Sequence, residues 1–231
     1  MAHFAFIAPP LRGHYRPLSH LAAELIARGH RATFIHQAEA APLVEAEGAR
    51  FQAIGTQAPP VEGWTRPMAK IRGILGLNRM MGGMVRFTDM FCREAPAVLE
   101  RIGADALIVD QLEAGGGLVA ERLGLPFVST ADTLPINREM GVPPPYVGWR
   151  FDPSERGVKR NIGGWRVTDF LMRPVAESIE RNARRLGLPP RRRLEDIAYN
   201  ILYLVGPSHQ NQARDRANRG RPTRHAGGLG R

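Results

Sequence analysis

Short apolar runs alternate with amphipathic stretches through the first third of the chain. His3–Ala8 (HFAFIA) predicts a buried strand, ended by Pro9-Pro10 and followed by a short loop with Gly13. A helix is predicted over Pro17–Arg28, where Leu18, Leu21, Ala22, Leu25 and Ile26 share one face; Pro17 suits its first turn and Gly29 its stop. Arg31–His36 (RATFIH) predicts a second strand, Ala40–Glu47 a short helix closed by Gly48, and Arg50–Ile54 a third strand. After a Pro- and Gly-rich loop from Gly55 to Pro67, Met68–Ile102 predicts helix, broken near Gly82-Gly83 and at Pro96. The alternation resumes with strand Ala106–Asp110 (ALIVD), helix Gly115–Leu123 and strand Pro126–Thr130. Asn137–Pro153 is read as loop, and Trp165–Leu186 as one long amphipathic helix kinked at Pro174. Strand–helix–strand order of this kind implies right-handed crossovers and a doubly wound, mostly parallel Rossmann-like α/β sheet.

The pattern fails after Val205. Residues 206–231 are Arg, Gly, Asn and Gln with hardly an apolar position, which predicts a disordered tail behind a single domain over 1–205. Arginine outnumbers lysine thirty to two, a sign of GC-rich coding, and a shifted reading frame in such a gene yields tails of this composition. The tail also changes the meaning of the net charge of +10: its six arginines against Asp215 supply half of it. The remainder is ordinary for a solvated surface, and no aromatics interleave Arg191–Arg193, so nucleic acid is not the expected partner.

Cys92 is the single cysteine, which excludes an intramolecular disulfide and fits a reducing cytosol. No leader and no membrane-spanning apolar run is visible, so any membrane contact is expected to be peripheral.

Candidate chemistry concentrates at Ala8–Arg16 (APPLRGHYR), between the first strand and the first helix. Ligands of doubly wound sheets bind at the carboxyl ends of the strands, where this segment places His14. A histidine on a loop is also, more simply, a solvated side chain. No G-x-G-x-x-G follows the first strand, which argues against a nicotinamide enzyme. Asp110 ends the ALIVD strand at the same edge. It either caps the helix that follows or orients His14, holding one ring nitrogen so that the other accepts a proton. No His, Cys and carboxylate spacing suggests a metal site.

The opening HFAFIAPPLRGHYRPLSHLAAELIARGHRATF and the stretch DALIVDQLEAGGGLVAERLGLPFVS resemble nucleotide-sugar glycosyltransferases of the GT-B fold. FTDMFCREAPAVLE, VDQLEAGGGLVAE and LPINRE at Leu134–Glu139 bring the likeness to the bacterial carotenoid (zeaxanthin) glucosyltransferase branch; it runs from about His3 to about Arg193. The resemblance implies that His14 is a general base, that Asp110 is its partner, and that a UDP-sugar is the co-substrate, with no metal required. Gly13 is then the candidate contact to the co-substrate. Met84 and Phe87, in a Met- and Phe-rich cluster, are candidates to line an apolar acceptor pocket, although residues at that spacing also make plain core. Nothing in the chain resembles the family's C-terminal donor-binding motif, so the chain is expected to be inactive alone. A non-catalytic apolar-ligand-binding domain, or a half-enzyme pairing in trans, is the alternative.

Overall fold

The computed structural model describes residues 1–56, 73–132, 136–145, 147–197 and 201–203. Six parallel strands form one sheet: β1 (His3–Ile7), β2 (Arg31–His36), β3 (Arg50–Ala53), β4 (Ala106–Asp110), β5 (Phe127–Ala131) and β6 (Ile201–Tyr203). Their order is β3-β2-β1-β4-β5-β6, so the strand order reverses between β1 and β4. A crevice opens outside the carboxyl ends of the strands at such a switch point. The register pairs Phe6 with Phe34 across β1 and β2, and Asp110 with Thr130 across β4 and β5.

The helices are α1 (Arg12–Ala27), α2 (Gly73–Ile102), α3 (Ala114–Leu123), α4 (Glu155–Leu171) and α5 (Arg173–Arg185). On one face of the sheet Tyr15, Leu18 and Ala22 of α1 pack on Phe6 and Phe34, with the Phe6 and Phe34 rings stacked at 4.8 Å. Burying each of these large side chains is worth ~1.5–3 kcal/mol. α3 packs against β4 and α2 through Gly115-Gly116-Gly117. A Cβ on Gly116 would lie 2.6 Å from a Val109 methyl, and one on Gly117 2.3 Å from Ile197, so only glycine admits this approach. α5 is held to α2 by Asp89, which accepts from Ser178 Oγ at 2.7 Å and from Arg181 at 3.0 Å.

The described residues divide into two compact units. Met1–Thr133 with Asp169–Val205 carries the sheet, and Leu134–Thr168 forms the second. Within the second, Trp165 donates to the Glu139 carbonyl at 3.3 Å, and Gly164 admits the Trp149 ring.

Several elements differ from the sequence expectation. α1 begins at Arg12, so His14 stands in a helical first turn and not on a loop. Pro17, expected in the first turn, is then the sixth residue and lies inside the helix, where it leaves the Gly13 carbonyl without its intrahelical donor. The short helix expected at Ala40–Glu47 is a 3-10 turn at Ala38–Leu43 containing Pro42. α2 runs unbroken through Gly82-Gly83 and Pro96. Its buried face, from Met81 through Leu99, packs against α3 and α5 and outweighs the local propensity cost. The single helix expected at Trp165–Leu186 is two. α4 starts ten residues earlier, where Ser154 Oγ accepts from the Gly157 N–H, and Pro174 opens α5 instead of kinking a longer helix. β6 lies in a stretch with no element expected. The 206–231 tail, the start of the Met68 helix and Leu134-Pro135 of LPINRE lie outside the described residues. Among the described residues, no helix is long and apolar enough to cross a membrane.

Candidate active site

Three neighbouring strands deliver the polar groups of the site to one edge. β1 feeds α1, whose extended N-cap residue Leu11 turns the chain so that His14 falls at its third position. The Leu11 carbonyl accepts from both His14 and Tyr15 N–H at 3.0 Å, which closes the first turn without a side-chain cap. β4 ends on Asp110, and Asp132 follows β5 directly.

His14 Nδ1 lies 2.8 Å from Asp110 Oδ2 and 3.2 Å from Asp132 Oδ2. An ionised carboxylate only accepts, so Nδ1 carries the proton and Nε2 keeps its lone pair. Asp110 is 2% exposed, and its second oxygen accepts from the Leu112 N–H at 2.9 Å. That bond holds the carboxylate against the imidazole. Both alternatives open in the sequence for Asp110 are therefore partly realised: it braces the turn into α3 and it meets His14. The α3 N-cap itself is Glu113, without a side-chain cap.

Burial, the largest influence on His14, disfavours the imidazolium. The hydrogen bond that His14 donates to Asp110, the charge of Asp110 and the charge of Asp132 outweigh it, so the His14 pKa is raised above 6.5. A base whose conjugate acid is held by two carboxylates can take a proton in a dry site where a lone imidazole cannot. Glu113, 4% exposed, is driven well above the usual carboxylate range by burial and then by Asp110. Tyr15 is likewise pushed up, by burial first and Glu113 second.

The ligating atoms of His14, Asp110 and Asp132 all lie within 4.8 Å of one another, a donor set of the composition that binds a divalent cation. A cation there would compete with the proton on Nδ1 that bonds to Asp110.

The sequence candidates fall as follows. His14 and Asp110 meet. Gly13 is exposed in the first turn of α1, and a Cβ there would meet nothing within 4 Å. Met84 and Phe87 are buried on α2, with Phe87 stacked on His36 at 4.2 Å and tilted against Phe91. Asp132 and Glu113 were not foreseen. The signal for Asp132 was available, since it ends PFVSTAD as Asp110 ends ALIVD.

Comparison with known proteins puts this fold in a class. The structure of the kitacinnamycin glycotransferase superposes with a TM-score of 0.61 at 21% identity, covering 92% of this chain and 48% of that one. At that identity the likeness is one of fold: half of a GT-B glycosyltransferase. No protein-family model matches the chain. In sequence it is similar to the zeaxanthin glucosyltransferase of Pantoea ananas, 41% identical over 196 residues, covering 84% of this chain and 46% of that protein. The zeaxanthin glucosyltransferase of Pseudescherichia vulneris matches equally, at 41% over 85% of this chain and 47% of its own length. The chain thus spans about half the length of the curated relatives it matches.

Proposed function

We propose that this chain is the acceptor-binding half of an inverting, UDP-sugar-dependent glycosyltransferase that transfers a hexose, glucose by the likeness, to a hydroxyl of an apolar acceptor such as a carotenoid. The observation that carries the reading is the buried 2.8 Å contact between His14 Nδ1 and Asp110 Oδ2, which leaves Nε2 as the free base. The acceptor hydroxyl docks against Nε2. As its oxygen attacks the anomeric carbon, its proton passes to the imidazole, and the nucleoside diphosphate leaves from the opposite face of the sugar. Asp110, with Asp132 beside it on the same ring nitrogen, stabilises the imidazolium formed, the role a carboxylate plays in a catalytic triad. The step needs no metal ion. Met84 and Phe87 bound the apolar part of the acceptor, and Gly13 lies on the co-substrate side of α1. The acceptor's solubility fits a cytoplasmic protein with peripheral contact at the inner membrane face.

The half-length span supports a second element of the reading: the donor sugar is held by a separate polypeptide region, in cis or in trans. The test is to supply this chain with the C-terminal half of the Pantoea ananas relative, UDP-glucose and zeaxanthin, and to follow zeaxanthin glucoside by mass spectrometry. Glucoside is expected with the native chain, with or without EDTA, and at most a trace with His14→Gln. Equal product from both chains would remove His14 as the base, and product abolished by EDTA would reassign His14, Asp110 and Asp132 to a metal ion.

A further inference from the structure

His36 closes β2, the strand beside β1, at the same carboxyl edge that holds His14, and it is 2% exposed. Its Nδ1 accepts the Gln37 N–H at 2.8 Å. A neutral ring with an accepting Nδ1 carries its proton on Nε2. That Nε2 is fully buried and has no hydrogen-bond partner among the described residues. Leaving such a donor unmade is costly to folding, and a phenyl ring of nearly the same shape would avoid the cost.

The surroundings fix the direction of this donor and keep it dry. The ring lies flat on Phe87, 4.2 Å between centroids and 11° between planes. Phe87 belongs to the same buried face of α2 as Met84 and Met90. Met90 reaches the carboxyl end of β3 only because Gly55 stands there: a Cβ would lie 2.1 Å from its sulfur. Burial lowers the His36 pKa to about 3, so the group stays a neutral donor through the physiological range. A rigidly held N–H amid adaptable apolar side chains has the composition of a ligand pocket: mostly apolar, with a polar group that sets orientation.

We propose that His36 Nε2–H donates a hydrogen bond to an oxygen of the bound acceptor and so selects hydroxylated apolar molecules over the parent hydrocarbons. The inference rests on the acceptor site proposed above and adds its specificity-determining contact. His14 takes the proton of the reacting hydroxyl; His36 recognises oxygen without exchanging a proton. The Gln37 N–H on Nδ1 sets which ring edge faces outward, and the Phe87 stack holds the plane of the ring.

The test is the binding of zeaxanthin and of β-carotene, in the same detergent micelles, to the full chain and to two variants, followed by quenching of intrinsic fluorescence beside a thermal melt. His36→Phe keeps the stack and deletes the donor; His36→Gln places an amide N–H at a similar reach. The native chain is expected to prefer zeaxanthin by about tenfold or more, since a site built to bond a hydroxyl rejects the analogue lacking it. His36→Phe should bind both pigments alike, and His36→Gln should recover part of the preference. A preference that survives in a folded His36→Phe, or a native chain that binds both alike, overturns the role of His36 and leaves the acceptor site standing. Should His36→Phe fail to fold, loss of all preference in a folded His36→Gln overturns it too. A native chain that binds neither pigment overturns the acceptor reading and this one with it.

Discussion

His14 and His36 stand at the same edge of one sheet, on neighbouring paths of the chain, and both are less than a tenth exposed. Their protonation goes in opposite directions. Burial disfavours the charge on each, but His14 faces Asp110 and Asp132 and is raised, whereas burial acts on His36 without a counter-charge and takes it down to about 3. The comparison separates two uses of one side chain. Burial alone makes imidazole a fixed neutral donor. Burial with a carboxylate makes it a base that can hold the proton it takes.

The largest effects should come from dismantling the His14 side. In enzyme reconstituted with a donor half, His14→Gln is expected to lower kcat by ~10²–10⁴, the usual contribution of a general base. Zeaxanthin binding should change little, which a fluorescence titration reads separately. Asp110→Asn should cost kcat on the order of 10³–10⁴, because an amide in place of the orienting carboxylate favours the wrong tautomer. Asp132→Asn should cost less, since its influence on His14 is the weakest of the three carboxylate effects. Imidazole NMR titration sharpens this ranking. The His14 pKa should fall most in Asp110→Asn, less in Asp132→Asn, and the His36 resonance should not move in either. A larger kcat loss in Asp132→Asn than in Asp110→Asn would transfer the orienting role to Asp132.

Stability against pH sets the two histidines apart with a smaller signal. His14, raised in the folded state, contributes stability that is complete below the unfolded value of 6.5 and is lost as pH rises through its folded pKa. For His36 the sign reverses. Its folded pKa is depressed, so the contribution is complete above 6.5 and is lost as pH falls from there toward about 3. One such proton gives a slope of roughly 1.4 kcal/mol per pH unit. Urea unfolding at pH 7 and pH 5 should show a shallower acid loss in His36→Phe than in the native chain. An unchanged acid limb would mean that His36 is not the neutral buried group described here.

The sequence made one half of this contrast readable and hid the other. β1 and β4 are short, mostly apolar runs, so their carboxyl ends, and with them a shared edge for His14 and Asp110, are legible in the doubly wound order; that Asp110 meets His14 as well as bracing the turn after it is not. His36 was placed in its strand, but nothing in RATFIH tells a solvated terminal histidine from one stacked on Phe87, a residue fifty-one positions away. α2 was read as broken because local propensity sees Gly82, Gly83 and Pro96 and does not see the helices packed against them. The α4–α5 boundary failed the other way: a shared amphipathic period ran through Pro174, although proline in a first turn starts helices more often than it bends them. Asp132 ends PFVSTAD as Asp110 ends ALIVD, so the strand-end argument reaches it as well.

The smallest effect tests the co-substrate side. Gly13 is the second residue of α1 and exposed, and a methyl added there would meet nothing within 4 Å. By helix propensity alone Gly13→Ala should stabilise the chain, by at most ~0.5–1 kcal/mol, less in a first turn. For a chain of this size that is a rise in Tm of no more than ~2–4 °C. The amides at the start of a helix point outward and favour anions, so a diphosphate seated there would approach this backbone closely. If it does, the added methyl intrudes, and the KM for UDP-glucose rises several-fold while the Kd for zeaxanthin and the His14 titration stay as they were. A higher Tm with an unchanged KM would leave Gly13 as a helix residue and move the donor contact to another part of the edge. The histidine comparison would survive that result, because neither His14 nor His36 depends on Gly13 for its partner.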